Sequence, residues 1–166
     1  KKLNQYKIKS KLIGDDKKRL NLIAEIGAGK KSIAFNAHLD TVIAGDQTKW
    51  KYNPFSAKLI GNKLYGRGAS DCKGGLTAIV FALIALKESN AKLNGKLKLA
   101  LTSDEESGPL SGARYLIKNH FNSNAMLICE PGVDKISIGS RGVYRFKLII
   151  FGKTAHTGLP LAKGIN

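Results

Sequence analysis

The sequence predicts an α/β domain, because strand-like apolar segments alternate with helix-like segments through residue 130. A second observation is that histidine or acidic side chains follow the ends of several predicted strands. A third is a change of pattern beyond Gly132, where strand-like segments follow one another without a helix between them. We therefore expect one α/β domain over residues 1–134 and the beginning of a second, sheet-based unit over residues 135–166.

The first half of the chain carries three predicted strands and a long loop. The strands are residues 6–13, 19–26 and 32–39. Gly14-Asp15-Asp16 separates the first two, and this turn composition is typical of a β-hairpin. Residues 43–62 show no regular apolar spacing, and a loop of that length in a compact domain is usually functional or covers a site.

The second half predicts helices between strands. The helices are residues 75–88 and 111–119, and the strands are residues 96–102 and 125–129, with a short extended segment at 63–65. Leu76, Ile79 and Leu83 recur at helical spacing in the first helix and predict one apolar side. Lysine and leucine alternate along residues 96–102, as in a strand with one buried face. Two further strands are predicted at residues 135–139 and 143–151.

The third strand leads into a histidine and an aspartate two residues apart. Because successive side chains on a strand point to opposite faces, His38 and Asp40 are predicted to share one face. A metal-bound imidazole whose other nitrogen is held by a carboxylate uses this arrangement. The alternative is a strand that runs into a turn, with both groups solvated, and the pair alone does not decide between the two.

Acidic side chains also lie where other predicted elements begin or end. They are Asp71 before the first long helix, Glu105 and Glu106 after strand 96–102, and Glu130 after strand 125–129. Ligands of α/β sheets gather at the carboxyl ends of the strands, so we expect these groups to meet at one edge. One histidine with several carboxylates suits zinc, manganese or cobalt. A shared carboxylate can bridge two such ions about 3.5–4 Å apart, while one of two adjacent glutamates takes a proton from water.

Composition argues against several classes of protein. The formal net charge is +16, but the lysines are spread along the chain without a nucleic-acid-binding signature, so no nucleic acid partner is predicted. The same charge favours a small substrate that carries a carboxylate. The most apolar run, residues 76–86, is short for a membrane span, so no membrane association is predicted. Two cysteines indicate a reduced, cytoplasmic setting rather than a disulfide scaffold.

Six short motifs stand out along the chain. They are N-A-H-L-D-T-V at 36–42, W-K-Y-N-P-F at 50–55, L-Y-G-R-G-A-S-D-C-K-G-G at 64–75, T-S-D-E-E-S-G at 102–108, C-E-P at 129–131 and G-K-T-A-H-T-G-L-P at 152–160. As an ordered set they resemble the M20 metallopeptidase family, which includes succinyl-diaminopimelate desuccinylase, acetylornithine deacetylase, aminoacylases and carboxypeptidase G2. The resemblance implies a three-layer sheet with helices on both faces, of the phosphorylase/hydrolase-like zinc-peptidase type, followed by the start of an α+β lid or dimerisation domain.

The resemblance also implies a metal centre. His38 would bind one ion, Asp71 would bridge two, Glu106 would bind one ion and Glu130 the other. The cofactors would be two divalent metal ions, with zinc expected and cobalt or manganese as alternatives. None of these assignments follows from residue spacing alone.

The catalytic roles implied by the resemblance fall on three further residues. Glu105 would be the general base, Asp40 would orient the His38 ring, and His156 would reach the active site of a partner subunit and stabilise an oxyanion. The reaction would be hydrolysis of an amide bond in a small N-acyl amino acid or peptide by water activated on two metals, as in desuccinylases and deacetylases. A homodimer is expected in the intact protein.

The chain departs from the family pattern in length. Family members return from the lid to the catalytic domain and supply a final histidine ligand, whereas this sequence stops at Asn166. We therefore expect an impaired second metal site and impaired activity in this segment alone. The rivals are a dipeptidase or aminoacylase of the same family, and a truncated, non-catalytic domain that binds a partner or an anion.

Structural alternatives remain open for single residues. Asp71 is also suited to cap the helix that follows it, and Glu130 before a proline is also typical of an ordinary turn. Glu105 and Glu106 also suit the first turn of a helix, where the macrodipole favours acidic groups. Cys72 adjoins a proposed ligand and is interpreted as a small core residue rather than a zinc-binding thiolate.

Overall fold

The computed structural model of the protein describes residues 1–107, 110–132, 135–139, 141–142, 144, 146–153 and 155. The chain divides into two compact units, Lys1–Val133 and Asp134–Asn166. The first unit contains the sheet and the helices. Whether the second unit is the start of a lid domain stays a prediction.

The described part of the first unit contains seven strands. They are β1 Ser10–Ile13, β2 Asn21–Gly27, β3 Ser32–His38, β4 Lys58–Ile60, β5 Lys63–Tyr65, β6 Lys96–Thr102 and β7 Ala125–Ile128. Five of them form one mixed sheet in the order β1-β2-β6-β3-β7. Strands β1 and β2 form the predicted antiparallel hairpin, and β2 is also antiparallel to β6. Strand β3 is parallel to both β6 and β7.

Helices α2 and α3 lie on opposite faces of this sheet. The helices of the described residues are α1 Lys2–Gln5, α2 Gly74–Glu88 and α3 Ser111–Lys118, with a 3₁₀ turn at Gln47–Lys49 and a distorted π-helical turn at Ala69–Lys73. Leu83 of α2 joins Leu99 and Leu101 of β6 in the main apolar cluster, and burying each such side chain contributes about 1.5–3 kcal/mol. Asn21 points to the other face, where its amide donates to the Gly112 carbonyl of α3. The predicted α/β class with helices on both faces is confirmed.

The first predicted strand is wrong over its first half. Residues 6–9 belong to no strand, and β1 begins only at Ser10. The chain instead turns back after α1, where the Ile8 amide donates to the Leu3 carbonyl at 3.0 Å. Both side chains are buried in the main apolar cluster, so the apolar pattern reflects burial without a strand.

The segment predicted as a long loop contains regular structure that the prediction did not include. Strands β4 and β5 form a separate two-stranded hairpin around Gly61-Asn62. A two-residue turn of this composition favours a hairpin, which explains the difference. The remainder of the segment holds the 3₁₀ turn, in which the Thr48 amide donates to the Asp46 side chain.

The two strands predicted after residue 134 are not formed in the described residues. Residues 135–139 and 146–151 belong to no strand. Ile136, Ile138 and Phe151 are 92%, 100% and 87% exposed. A strand is stable only when a neighbour pairs with its backbone, and the described residues offer these segments no such neighbour. The strand prediction is therefore wrong for residues 135–139 and 146–151, whereas residues 143 and 145 of the second predicted strand lie outside the described residues.

One apolar segment in the described residues meets the length and composition of a membrane span, which the sequence analysis did not anticipate. It is Ala69–Glu88, with a mean hydropathy of 1.5. The core helix of a domain meets the same criteria, and Leu83 and Ile84 of this helix are buried in the main apolar cluster. The segment is therefore weak evidence for a membrane.

Candidate metal centre

The carboxyl ends of three parallel strands bring most of the predicted site residues to one edge. His38 is the last residue of β3, the loop with Glu105 and Glu106 follows β6, and Glu130 follows β7 by two residues. Because β3, β6 and β7 run parallel, these ends meet at the same edge of the sheet. Asp71 reaches the same edge from the turn before α2, where it contacts His38.

The His38 ring is buried and held at both nitrogens. Nδ1 lies 2.9 Å from the Asp40 carbonyl oxygen, and Nε2 lies 2.8 Å from Asp71 Oδ1. A carbonyl oxygen only accepts hydrogen bonds, so Nδ1 carries the proton. In the neutral ring, the Nε2 lone pair therefore faces a carboxylate oxygen. This arrangement is favourable only when a proton or a metal cation lies at Nε2.

The environment of His38 favours its cationic form. Burial acts to lower the pKa of His38, but the hydrogen bonds to Asp71 and to the Asp40 carbonyl oppose it, with the negative charges of Glu130 and Asp71. The balance raises the pKa above its usual value. The surroundings of this nitrogen therefore stabilise positive charge, as a metal site does.

Asp40 links the histidine to the glutamate pair. Its carboxylate oxygens accept the backbone amides of Glu105 and Glu106 at 3.1 and 3.0 Å. Partial burial acts to raise the pKa of Asp40, but these amide hydrogen bonds outweigh it and lower the pKa. One carboxylate oxygen lies 3.6 Å from His38 Nδ1, farther than the carbonyl oxygen. Asp40 thus contacts the ring mainly through its backbone and holds the loop through its side chain.

Asp71 occupies a turn of unusual backbone. Gly68 precedes it with φ of 79°, and an added Cβ there would lie 2.6 Å from the Thr41 side chain, so glycine is required. Asp71 itself has φ −112° and ψ 99°, outside helical values, within Ala69–Lys73. Its side chain is half exposed, which leaves a carboxylate oxygen open beside His38.

Cys72 lies closer to the histidine than the sequence suggests. His38, Asp71 and Cys72 each present a ligand atom, and the three atoms lie within 4.8 Å of one another. The Cys72 sulfur accepts the His38 backbone amide at 3.2 Å. Burial raises the pKa of this thiol to about 11, so it is protonated near neutral pH. Cys72 also belongs to the main apolar cluster, in agreement with its interpretation as a core residue.

Glu130 is coupled electrostatically to the other predicted residues. Burial raises its pKa, His38 opposes this shift, and the negative charges of Asp71, Glu105 and Glu106 add to it. Among the described residues, the group of ligand atoms that lie within 4.8 Å of one another contains His38, Asp71 and Cys72 and does not include Glu130. Of the four predicted metal ligands, His38 and Asp71 are therefore in direct contact, whereas Glu106 and Glu130 share the edge of the sheet without belonging to this group.

The residues present fit a divalent metal ion. Imidazole nitrogen and carboxylate oxygen form a donor set suited to zinc, cobalt or manganese. The buried Nε2 that faces Asp71 provides a nitrogen ligand whose ring is already oriented by the Asp40 carbonyl. A bound cation would also compensate the negative charge of Asp71 beside this nitrogen.

Six of the seven predicted site residues are brought to this edge. They are His38, Asp40, Asp71, Glu105, Glu106 and Glu130. His156, the seventh, lies outside the described residues. Sequence reasoning missed Asp104, which is buried and pairs with Arg19 at 2.5 Å. Its only sequence signal was a position between Ser103 and the two glutamates.

An α/β sheet with a histidine and several acidic residues at its carboxyl edge is typical of metal-binding α/β domains. Residues 34–157 match the family described as "Peptidase family M20/M25/M40". The chain belongs to this family, as the motifs indicate.

Relatives with curated descriptions extend the match. The chain is 38% identical over 159 residues to "Probable succinyl-diaminopimelate desuccinylase" of Staphylococcus aureus (strain MRSA252). This alignment covers 95% of this chain and 39% of the relative. It is 34% identical to "Succinyl-diaminopimelate desuccinylase" of Orientia tsutsugamushi (strain Ikeda), with 93% and 42% covered. The chain thus spans about two fifths of the length of these relatives.

Solved structures share the fold. An M20 family metallo-carboxypeptidase, Sso-CP2 from Sulfolobus solfataricus, superposes with a TM-score of 0.69 at 30% identity and covers 79% of this chain and 30% of that protein. Human carnosine dipeptidase 1 superposes with a TM-score of 0.65 at 24% identity, over 77% of this chain and 30% of that protein. At that lower identity the likeness establishes the fold alone.

Proposed function

We propose that the protein hydrolyses an amide bond in a small N-acyl amino acid, in the manner of a desuccinylase or deacetylase, with two divalent metal ions. The observation that carries this proposal is the His38 ring, whose Nε2 faces Asp71 at 2.8 Å while Nδ1 is committed to a carbonyl. Membership of a peptidase family and the similarity to desuccinylases support it. The alternative of a non-catalytic binding fragment gives no reason for this arrangement.

The metal ligands in this proposal are His38, Asp71, Glu106 and Glu130. Asp71 is half exposed beside the buried histidine, a position suited to sharing its two oxygens between ions. Bound ions would supply Lewis-acid activation of water and of the amide carbonyl. Zinc fits the nitrogen and oxygen donors best, and cobalt or manganese fits the same set.

Glu105 is the general base in this proposal, and Asp40 positions it. The Asp40 carboxylate holds the amides of Glu105 and Glu106, which fixes the backbone from which both side chains leave. The two adjacent glutamates then divide their work, with Glu106 on a metal ion and Glu105 accepting a proton from water and passing it to the leaving amine.

The substrate is proposed to carry a carboxylate beside its amide. The similarity to succinyl-diaminopimelate desuccinylases supports an N-succinyl amino acid, and the net charge of +16 favours an anionic substrate. A second candidate is peptide hydrolysis, which the 30% identity to the metallo-carboxypeptidase Sso-CP2 favours.

Three further proposals concern the whole protein: the role of His156, the homodimer and the cellular compartment. His156 is proposed to stabilise the oxyanion of the reaction in a partner subunit, which requires a homodimer. The protein is proposed to act in the cytoplasm, since its free cysteines suit a reduced compartment.

A hydrolysis screen tests the proposed function. The full-length protein, loaded with zinc, cobalt or manganese, would be offered N-succinyl and N-acetyl amino acids and a set of dipeptides. We expect release of free amine from N-succinyl substrates, lost on chelation and restored when metal is added back. Cleavage of dipeptides alone would favour the second candidate. A folded protein that retains none of these metals would contradict both.

A further inference from the structure

The loop that contains Glu105 and Glu106 is held in place by hydrogen bonds on two sides. On one side, Asp40 accepts both glutamate amides. On the other side lies Asp104, a buried carboxylate directly before the pair, with a left-handed backbone at φ 65°. The proposed function uses the first contact and leaves the second without a role.

Asp104 joins three separate elements of the fold. Arg19, two residues before β2, donates from Nη1 to one carboxylate oxygen at 2.5 Å. The Ser107 hydroxyl donates to the same oxygen, and the hydroxyl of Ser111, the first residue of α3, donates to the other. The side chain of Asp104 is only 5% exposed, whereas that of Arg19 is 56% exposed. A buried carboxylate with three donors is a strong fixed point for the loop.

The backbone on the amino side of Asp104 is fixed as well. The Ser103 hydroxyl donates to the Arg19 carbonyl at 2.7 Å, and the Ser103 amide donates to the fully buried Asn21 side chain at 3.0 Å. Asn21 in turn donates to the Gly112 carbonyl in α3. An added Cβ at Gly112 would clash with the Ser103 carbonyl, so the helix approaches the loop as closely as glycine allows.

We propose that Asp104, through its pair with Arg19, is a positioning residue that sets the places of Glu105 and Glu106 in the metal centre. This inference rests on the proposed function of those two glutamates. Asp104 touches neither substrate nor metal and acts through the backbone that it shares with Glu105. Removing Arg19 leaves the buried Asp104 carboxylate without its cation, and neutralising Asp104 weakens the anchor itself, so in either case the loop would relax away from its present position. A shift of about 1 Å in a catalytic group is enough to cost up to about a hundredfold in rate.

The test compares Asp104→Asn and Arg19→Gln with the matched control Asp16→Asn in the full-length, zinc-loaded protein. Asp16 is an exposed aspartate that accepts the Lys18 amide in the same turn as Arg19. For both test variants we expect kcat to fall about tenfold to a hundredfold, with KM changed by less than about twofold. Zinc affinity should fall about tenfold, and amide exchange at Glu105 and Glu106 should accelerate. Asp16→Asn should match the wild type in all four measurements.

The proposal is overturned if both test variants have a lowered Tm but otherwise behave as the wild type. At temperatures well below Tm, they would then keep the wild-type kcat, the wild-type zinc affinity and the wild-type rate of amide exchange at Glu105 and Glu106. Such a result would give Asp104 a purely structural role. If Asp104→Asn does not fold, Arg19→Gln decides, because the Arg19 side chain is more than half exposed. If the wild-type protein hydrolyses nothing, the proposed function fails, whereas amide exchange and zinc affinity still judge the positioning role.

Discussion

The two ends of the parallel strands β3, β6 and β7 differ in how their polar groups are satisfied. At the amino ends, donors and acceptors match, since the Ser32 amide donates to the Asn124 side chain at 2.8 Å and the Ser32 carbonyl accepts the Asn124 amide at 3.0 Å. The Lys96 amide likewise donates to the Lys31 carbonyl. At the carboxyl ends, the buried His38 ring lies against the half-exposed Asp71 carboxylate, and further acidic residues follow the ends of β6 and β7.

This difference separates stability from function along the same strands. The amino ends form closed pairs, and each such hydrogen bond contributes about 1 kcal/mol to folding. At the carboxyl ends, the half-exposed Asp71 carboxylate lies beside the buried His38 ring, and a bound cation would compensate its negative charge. Substitutions at the two ends should therefore affect different measurements.

The largest effect is expected for Glu105→Gln. This change removes the proposed base and keeps the size of the side chain, and the amide contact to Asp40 comes from the backbone and is retained. We expect turnover to fall about a hundredfold to ten-thousandfold, with zinc content unchanged. Steady-state kinetics and elemental analysis of the same sample measure both. Normal turnover would remove Glu105 from the role of base.

A smaller effect, on metal binding, is expected for Asp71→Asn. The change neutralises the carboxylate that lies 2.8 Å from His38 Nε2. Zinc affinity should fall at least about tenfold, because an anionic ligand is lost. Titration against a zinc-binding dye measures this affinity, and Asp46→Asn, in an exposed turn cap, is the control. Unchanged zinc stoichiometry and affinity would argue against a bridging role for Asp71.

The smallest effect is expected at the amino ends, for Asn124→Ala. The change removes the side-chain acceptor of the Ser32 amide, and the free energy of unfolding should fall by about 1 kcal/mol. Zinc affinity and kcat of the folded protein should not change. Urea unfolding and zinc titration provide the two measurements. A loss of zinc affinity without a loss of stability would show that the two ends are not separate.

Regular elements with strong local patterns were predicted closely from sequence. Strand β6 was expected at residues 96–102 and lies there, and helix α2 was expected at residues 75–88 and begins one residue earlier. Their signals are local, because alternation or helical spacing within a few turns encodes the buried face. The strand predictions for 6–9, 135–139 and 146–151 were wrong because strand formation depends on a pairing partner elsewhere in the chain.

For the candidate site, too, local motifs were predictable from sequence and contacts between distant residues were not. Motifs of a few residues predicted the histidine and the acids, and the parallel strands explain why these residues lie at one edge of the sheet. The sequence did not indicate that Asp104 pairs with Arg19, because 85 positions separate them and the motif that contains Asp104 does not include Arg19. It also did not indicate that the Asp40 backbone, rather than its carboxylate, lies nearest to the His38 ring.

Zinc-edge anomalous diffraction from crystals of the full-length protein tests the central claim most directly. The claim is that a cation joins the acids at the carboxyl edge of the sheet. We expect an anomalous peak within bonding distance of His38 Nε2 and an Asp71 carboxylate oxygen, with Glu106 and Glu130 as further ligands. Crystals grown with zinc that have no density beside His38, or zinc only at other residues, would contradict it.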